Sequence, residues 1–442
     1  MSSSLSLNKA LGSLPPACLP LVQSLGEEAR ASGGAVYLVG GSVRDILLER
    51  PIRDVDLLAV PGKHALRIAQ AAAPPEARVV EFGRFGTLRI ETAEWAVDLA
   101  GARAESYARP AALPTVRPGS LEEDLLRRDF SVNALALALP SESEQGPLEV
   151  LDVCNGLADL ESRTLRILHP RSFHDDPTRI LRAARLAPRL GFKLARATRS
   201  AMRDALRDGA MGGVSGERLR REFEKMFADV HLGLEPGLAL RQLAQWHVLS
   251  ALEPGLEWPK ETNAAMRRLG KGIAEPEWRA HRYRPWVPGL ALWLAPLRPA
   301  LRRRVLQRFA VRGEAADRIA GFGSERDRLL RRLGKARGRG AVDAVLTGIH
   351  EENLQALVAC SEPLLRRRIL RWAAEDRTRR APLNGDDLAK LGLEGPAVGK
   401  VLGRIRAAHL DGAIANREEA LGLAVEWVRR RGVGEARNGK KK

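Results

Sequence analysis

Cysteine, long apolar runs and acidic charge are all in short supply in this chain of 442 residues. Its 3 cysteines, Cys18, Cys154 and Cys360, stand far apart, which excludes both a disulfide framework and a cysteine-based metal site. No apolar run approaches the roughly 20 residues that a membrane-spanning helix needs. The opening residues, Met1 to Asn8, lack the charged, apolar and small-residue segments of a signal peptide. A reducing, cytoplasmic setting without membrane contact is therefore expected. With 45% hydrophobic and 29% charged residues the composition is that of a globular protein, which excludes fibrous and disordered classes.

Acidic residues are the minority sign: 54 Asp and Glu against 72 Lys and Arg leave a net charge of +18. Such an excess attracts polyanions, of which nucleic acid is the commonest in a cytoplasm. An Arg- and Ala-rich composition alone would exchange Arg for Lys without raising net charge. The length suggests roughly three domains. Between about residues 35 and 139, short β-type runs such as Val36–Val39, Val55–Val60, Thr87–Glu91 and Trp95–Leu99 alternate with turns. From about Asp175 onward only amphipathic helical patterns remain, punctuated near Pro236, Pro254, Pro285 and Pro382. The last stretch, Gly432 to Lys442, is polar, ends in three lysines and reads as a frayed tail.

Chemistry first shows itself at Leu38-Val-Gly40-Gly41-Ser42-Val-Arg44-Asp45, where an apolar strand turns into a helix. Paired glycines there let backbone N–H groups approach a phosphate, or simply make a tight turn. The P-loop ending Gly-Lys-[Ser/Thr] is missing. Next, Asp54-Val-Asp56 places two carboxylates on one strand face, where they repel unless a divalent cation such as Mg²⁺ lies between them. Asp98 offers a third carboxylate on what would be an adjacent strand, and a solvated acidic face is the alternative. Within Arg127-Arg128-Asp129-Phe-Ser-Val-Asn133, Asp129 and Asn133 sit four apart, as on one helix face that could equally be a salt-bridged surface.

This ordered string resembles the class II tRNA nucleotidyltransferases (CCA-adding enzymes) and the related bacterial poly(A) polymerases. The resemblance implies an α+β protein: a polymerase beta-like nucleotidyltransferase head with a small mixed sheet, then an all-helical neck, body and tail. The expected bounds are 1–145, 146–230, 231–375 and 376–442. It further implies that Asp54, Asp56 and Asp98 are catalytic and hold two Mg²⁺ ions. Gly40, Gly41, Ser42 and Arg44 would cradle phosphates, while Arg128, Asp129 and Asn133 would face the nucleotide, Asp129 and Asn133 at its sugar. One metal would activate the RNA 3′-hydroxyl and the other would steady the triphosphate and leaving pyrophosphate.

Downstream, Asp175-Asp176-Pro177-Thr-Arg179-Ile-Leu-Arg182 opens a helix with capping chemistry. Spacings of three and four bring Asp175, Asp176 and Arg179 to one face, where an acceptor beside a forked donor could read a base edge. Asp175 would hold Arg179 in register, and a plain capped helix with an Arg stripe, Arg182 included, is the rival reading. In the resembling family the element is Glu-Asp-x-x-Arg and pairs with incoming CTP or ATP; here Asp175 replaces the Glu. The nearby His174-Asp175 lacks the companion histidines of a metal-dependent phosphohydrolase. Farther on, Val214 to Met226 resembles the family's closing neck helix or carries surface ion pairs, Arg218 among them.

The Arg clusters 302–304, 331–332 and 366–368 suit phosphate contacts or a solvated face. Leu383 to Leu402 reads as a short helix, a glycine stop, then Gly395-Pro396 opening a second helix with Lys400 near its start. Together the motifs imply template-independent addition of the 3′ CCA, or part of it, to tRNA from ATP and CTP. Contacts with the tRNA 3′ end and acceptor region are implied as well. A-only, CC-only and poly(A) activities, and a silent RNA-binding protein, remain open at this point, as does the oligomeric state. The Pro-rich segment Arg109–Gly119 corresponds to the family's flexible loop implicated in switching specificity.

Overall fold

The computed structural model describes residues 4–52, 54–82, 86–139, 146–272 and 284–438. Contacts divide the chain into two compact units, residues 1–218 with 245–252, and residues 219–244 with 253–442.

The first unit is built on strands β1 (Ser4–Leu5), β2 (Ala35–Val39), β3 (Val55–Val60), β4 (Arg78–Phe82), β5 (Thr87–Glu91), β6 (Ala96–Gly101), β7 (Arg103–Ser106), β8 (Thr115–Pro118), β9 (Leu135–Ala138) and β10 (Leu148–Asp152), with β11 (Thr164–Leu165) and β12 (Lys193–Leu194) farther on. Eight of them form one mixed sheet in the order β1-β10-β9-β2-β3-β6-β5-β4. All its pairings are antiparallel except β3 with β6.

Branched residues make β2 and β3 strong strands, and alternation decides which side of the sheet each residue serves. Val55, Leu57 and Ala59 are buried on one side. On the other, Leu58 packs with Val39, Leu125 and Ala136, while Asp56 ahead of it stays open to solvent. Helices Leu19–Ala31 and Ala65–Ala72 pack on one another; the first also meets β2, and the second β3, β5 and β6. They bury stripes such as Leu21, Val22, Leu25 and Ala29.

The mixed sheet is larger than expected, and β10 joins it from within residues 146–230. That segment is also not wholly helical, since β11 and β12 pair in parallel there. Four residues of Arg109–Gly119 are likewise strand: β8 pairs with β7, leaving residues 107–114 as a hairpin loop.

The second unit is helical throughout its described residues. One core gathers Phe223, Trp258, Trp293 and Phe309, with Phe223 stacked 4.5 Å from Phe309. Near the C-terminus, Asn384 caps a short helix Gly385–Ala389, Gly392 takes φ +77°, and Pro396 begins helix Pro396–Leu410, in the order expected from the sequence. Leu388, Val401, Ile405 and Ala420 form the core of this end. The final helix, Arg417–Asn438, runs through most of the segment expected to fray; residues 439–442 lie outside the described residues. Among the described residues no helix is long and apolar enough to cross a membrane.

Candidate active site

The parallel pairing of β3 with β6 sets Asp56 directly beside Asp98. Asp54 lies one residue before β3 rather than in it, and both Asp54 and Asp56 are exposed. Burial is nonetheless the largest influence on the Asp56 carboxyl. Together with the neighbouring charges of Asp98 and Asp54, and against Arg128 and Arg182, burial pushes it up to about 6. Among the described residues neither Asp54 nor Asp56 has a side-chain hydrogen bond or ion pair.

Asp98 differs. Arg89, its cross-strand neighbour on β5, grips both carboxylate oxygens at 2.8 and 3.0 Å and lies 5.1 Å from the centre of the Phe82 ring. As the side chains stand, no three acidic, histidine or cysteine groups among the described residues converge on one point. The donor set still suits a hard divalent cation: two unpaired carboxylates, a third beside them, and a mutual repulsion visible at Asp56.

The glycine turn lies next to these acids. Gly40 has φ +69°, and a Cβ on it would stand 2.8 Å from an Arg128 terminal nitrogen. A side chain is therefore disfavoured twice, by conformation and by the guanidinium alongside. Arg128 is anchored from behind by Asp124 at 2.9 Å and acts electrostatically on Asp56, so its charge serves both turn and carboxylates.

Ser42 and Arg44, expected to cradle phosphate, spend their polar atoms inside the protein. The Ser42 hydroxyl donates to the Asp54 carbonyl at 2.9 Å and accepts from the Asp56 N–H at 3.2 Å, tying the turn to the acidic strand. The buried Arg44 guanidinium donates two hydrogen bonds to the Asp45 carboxylate and a third to Asn133 Oδ1 at 2.6 Å.

Asp129 and Asn133 meet as expected, although not on a helix. Asp129 lies in a turn and Asn133 in a short 3-10 turn, with Asn133 Nδ2 donating to Asp129 Oδ1 at 2.9 Å. The other Asp129 oxygen takes Arg182 at 2.7 Å. Burial opposes ionisation of Asp129, yet Arg182, Asn133 and the farther Arg179 outweigh it and hold the group below the usual carboxylate range.

In the neck the expected trio is parted. Asp175 lies 3.9 Å from His169 and from Arg171 instead of holding Arg179. The buried Arg179 donates to Ser172 Oγ at 2.6 Å and to the Arg127 carbonyl at 2.7 Å, and it keeps spare N–H donors. Asp176 Oδ1 caps Thr178 and takes Arg218 at 2.6 Å. Both remain close to Tyr107, whose hydroxyl burial, Glu105 and Asp176 push up to about 12 against the pull of Arg179.

Sequence reasoning missed Arg89, Tyr107 with its partner Glu105, and the contact of Arg218 with Asp176. The alternation Arg103-Ala-Glu105-Ser-Tyr107 was a readable signal for a polar strand face, whereas the pairings of Arg89 and Arg218 depend on long-range register.

Residues 36–166 match the Poly A polymerase head domain family. An A-adding tRNA nucleotidyltransferase of Geobacter sulfurreducens is 30% identical over 430 residues, covering 93% of this chain and 47% of that protein. Another from Aquifex aeolicus is 37% identical over 245 residues, covering 55% of this chain and 28% of that protein. The chain thus spans less than half the length of these two curated relatives. A Thermotoga maritima CCA-adding enzyme complexed with tRNA superposes with a TM-score of 0.72 at 26% identity, covering 97% of this chain and all of that one. The glycine turn, the paired acids and the Arg128-Asp129 element all fall within the segment that matches this head domain, and the chain as a whole is similar to tRNA nucleotidyltransferases.

Proposed function

We propose that this protein is a template-independent nucleotidyltransferase that extends the 3′ end of tRNA with CTP and ATP, releasing pyrophosphate. The observation that carries the reading is the register pair Asp56–Asp98 with Asp54 alongside, unneutralised, next to a glycine turn flanked by Arg128. In this reading Asp54, Asp56 and Asp98 hold Mg²⁺, which when bound lowers the pKa of the attacking hydroxyl and offsets phosphate charge. Gly40 and Gly41 admit the triphosphate close to the backbone, and Arg128 supplies a pre-oriented cation. Ser42 and Arg44 stiffen the turn from within. Asp129, fixed by Asn133 and Arg182, accepts from a sugar hydroxyl. Asp176 and Arg179 face the base: cytosine and adenine both present an exocyclic amine to the free Asp176 oxygen and a ring nitrogen to a spare Arg179 N–H.

The 3′ end and acceptor region of tRNA would follow the basic surface, and the chain division 1–145, 146–230, 231–375 and 376–442 remains our functional subdivision. Two relatives that carry the A-adding name favour a second reading, addition of the terminal A alone. Incubating the protein with Mg²⁺, labelled CTP or ATP, and tRNA that ends before CCA, after C or after CC tests both. Extension of only the CC form means A addition. No extension of any form refutes the enzyme.

A further inference from the structure

We propose that Arg218 is a positioning residue that sets nucleotide choice by fixing Asp176 and fastening the Tyr107–Pro114 loop to it. The inference rests on the reading of Asp176 as a base-facing group.

Arg218 lies in the first turn of helix Gly216–Ala228 and is largely buried. Its guanidinium forks between two targets far apart in sequence: one terminal nitrogen donates to Asp176 Oδ1 at 2.6 Å, the other to the Ala111 carbonyl at 3.1 Å. On the Asp176 side, the same oxygen already receives the Thr178 N–H at 3.0 Å and the Thr178 hydroxyl at 2.6 Å. Three donors crowded on Oδ1 fix the carboxylate plane and leave Oδ2 as the remaining acceptor. A small movement of Arg218 therefore turns the atom that would meet a base.

The loop is held at its Ala111 end in three ways. Ala111 is buried, and its N–H donates to the His174 carbonyl at 3.0 Å. Its carbonyl accepts from Arg218, and Gly213 approaches so closely that a Cβ there would lie 2.8 Å from the Ala111 Cβ. Ala111 also adopts φ +60°, a conformation disfavoured for an L-residue. Backbone strain at a non-glycine residue persists only where surrounding contacts over-determine it, as these three do. The other end of the loop, Tyr107, feels the charges of Asp176 and Arg179 and is tied by its hydroxyl to Glu105 at 3.0 Å. Loop, Arg218 and Asp176 thus form one mechanically continuous unit in which Arg218 is the link.

The test uses the full chain and measures kcat/KM for ATP and for CTP on the same tRNA acceptor. Arg218→Gln is expected to erode the ratio of preferred to rejected nucleotide by roughly tenfold, the value of one charge-assisted hydrogen bond. Arg218→Lys, which keeps the charge but reaches one target at a time, should fall between. An equal loss for both nucleotides in Arg218→Gln, with the ratio intact, overturns the proposal and leaves a structural role; so does an intact ratio in Arg218→Lys if Arg218→Gln fails to fold. Asp176→Asn separates the levels: if that substitution leaves the ratio unchanged, the base-facing reading itself fails.

Discussion

Replacing Arg44 with Met separates two roles that a sequence cannot distinguish, a phosphate ligand and an internal strut. Arg44 and Asp45 have side chains only 5% and 12% exposed, and Arg44 gives two bonds to Asp45 and one to Asn133. The substitution keeps most of the volume but strands a buried carboxylate and an amide oxygen. Removing one partner of a buried pair costs about 3–5 kcal/mol. For a unit of this size, each kcal/mol lowers the melting temperature by about 2–4 °C, so a fall of roughly 6–20 °C is expected. The assay is thermal unfolding by calorimetry without nucleotide, repeated with ATP. A strut lowers the melting point of the free protein, and what folded protein remains still gains stability from ATP. If Arg44→Met melts within about 2 °C of the parent but no longer responds to ATP, the strut reasoning is wrong and Arg44 binds phosphate.

Three further outcomes follow from the same geometry. Asp56 has a carboxyl raised to about 6 in the folded state, so ionising it disfavours folding, a penalty that grows as pH rises from the unfolded value of 3.8 through 6. Asp56→Asn should therefore melt higher than the parent above pH 6, measured without divalent metal, while losing extension activity altogether. Arg89→Met releases both Asp98 oxygens, and Mn²⁺ binding followed by electron paramagnetic resonance should tighten several-fold; unchanged or weaker binding would show that Arg89 orients Asp98 rather than competing for it. Burial opposes ionisation of Asp343, but Arg406 and the Trp372 indole hold it below its usual value of 3.8. Its contribution to stability is complete above that value and is lost as pH falls through the lower folded one. Asp343→Asn should blunt acid unfolding of the helical unit, followed by tryptophan fluorescence.

The pieces legible in the sequence were those with local causes. The β-type runs Val55–Val60 and Trp95–Leu99 are enough to put Asp56 and Asp98 on strands, and their shared face follows once the strands pair. The paired glycines announced a backbone that only glycine tolerates, and Gly40 has that conformation. Likewise Asn384, Gly392, Gly395 and Pro396 carry cap, stop and start signals that act within a few residues. Side-chain partners were a different matter. Spacings of three and four place Asp175, Asp176 and Arg179 near one another, but they do not say that Ser172 and the Arg127 carbonyl are better hydrogen-bond acceptors for Arg179 than Asp175 is. Nor could helical periodicity apply to Asp129 and Asn133, because helix Leu121–Leu126 has already ended and a turn brings them together. Arg218 meets Asp176 across 42 positions, a distance at which no local pattern speaks.

The arginines around the cleft show why partners matter more than composition. Arg128 rests on Asp124, Arg182 on Asp129, Arg89 on Asp98 and Arg218 on Asp176, so each guanidinium is fixed by a carboxylate. A free arginine would lose rotamer freedom on meeting a triphosphate, whereas an anchored one has already lost it during folding. Anchoring also cancels the net charge of each pair, which leaves direction rather than bulk charge to do the selecting. Asp54 and Asp56 break the pattern, being acids without such a partner among the described residues. In a protein of net charge +18, with Arg128 and Arg182 acting on Asp56, two carboxylates left unneutralised among the described residues make sense if the missing positive charge arrives with the substrate, and a magnesium-bound nucleotide would bring it.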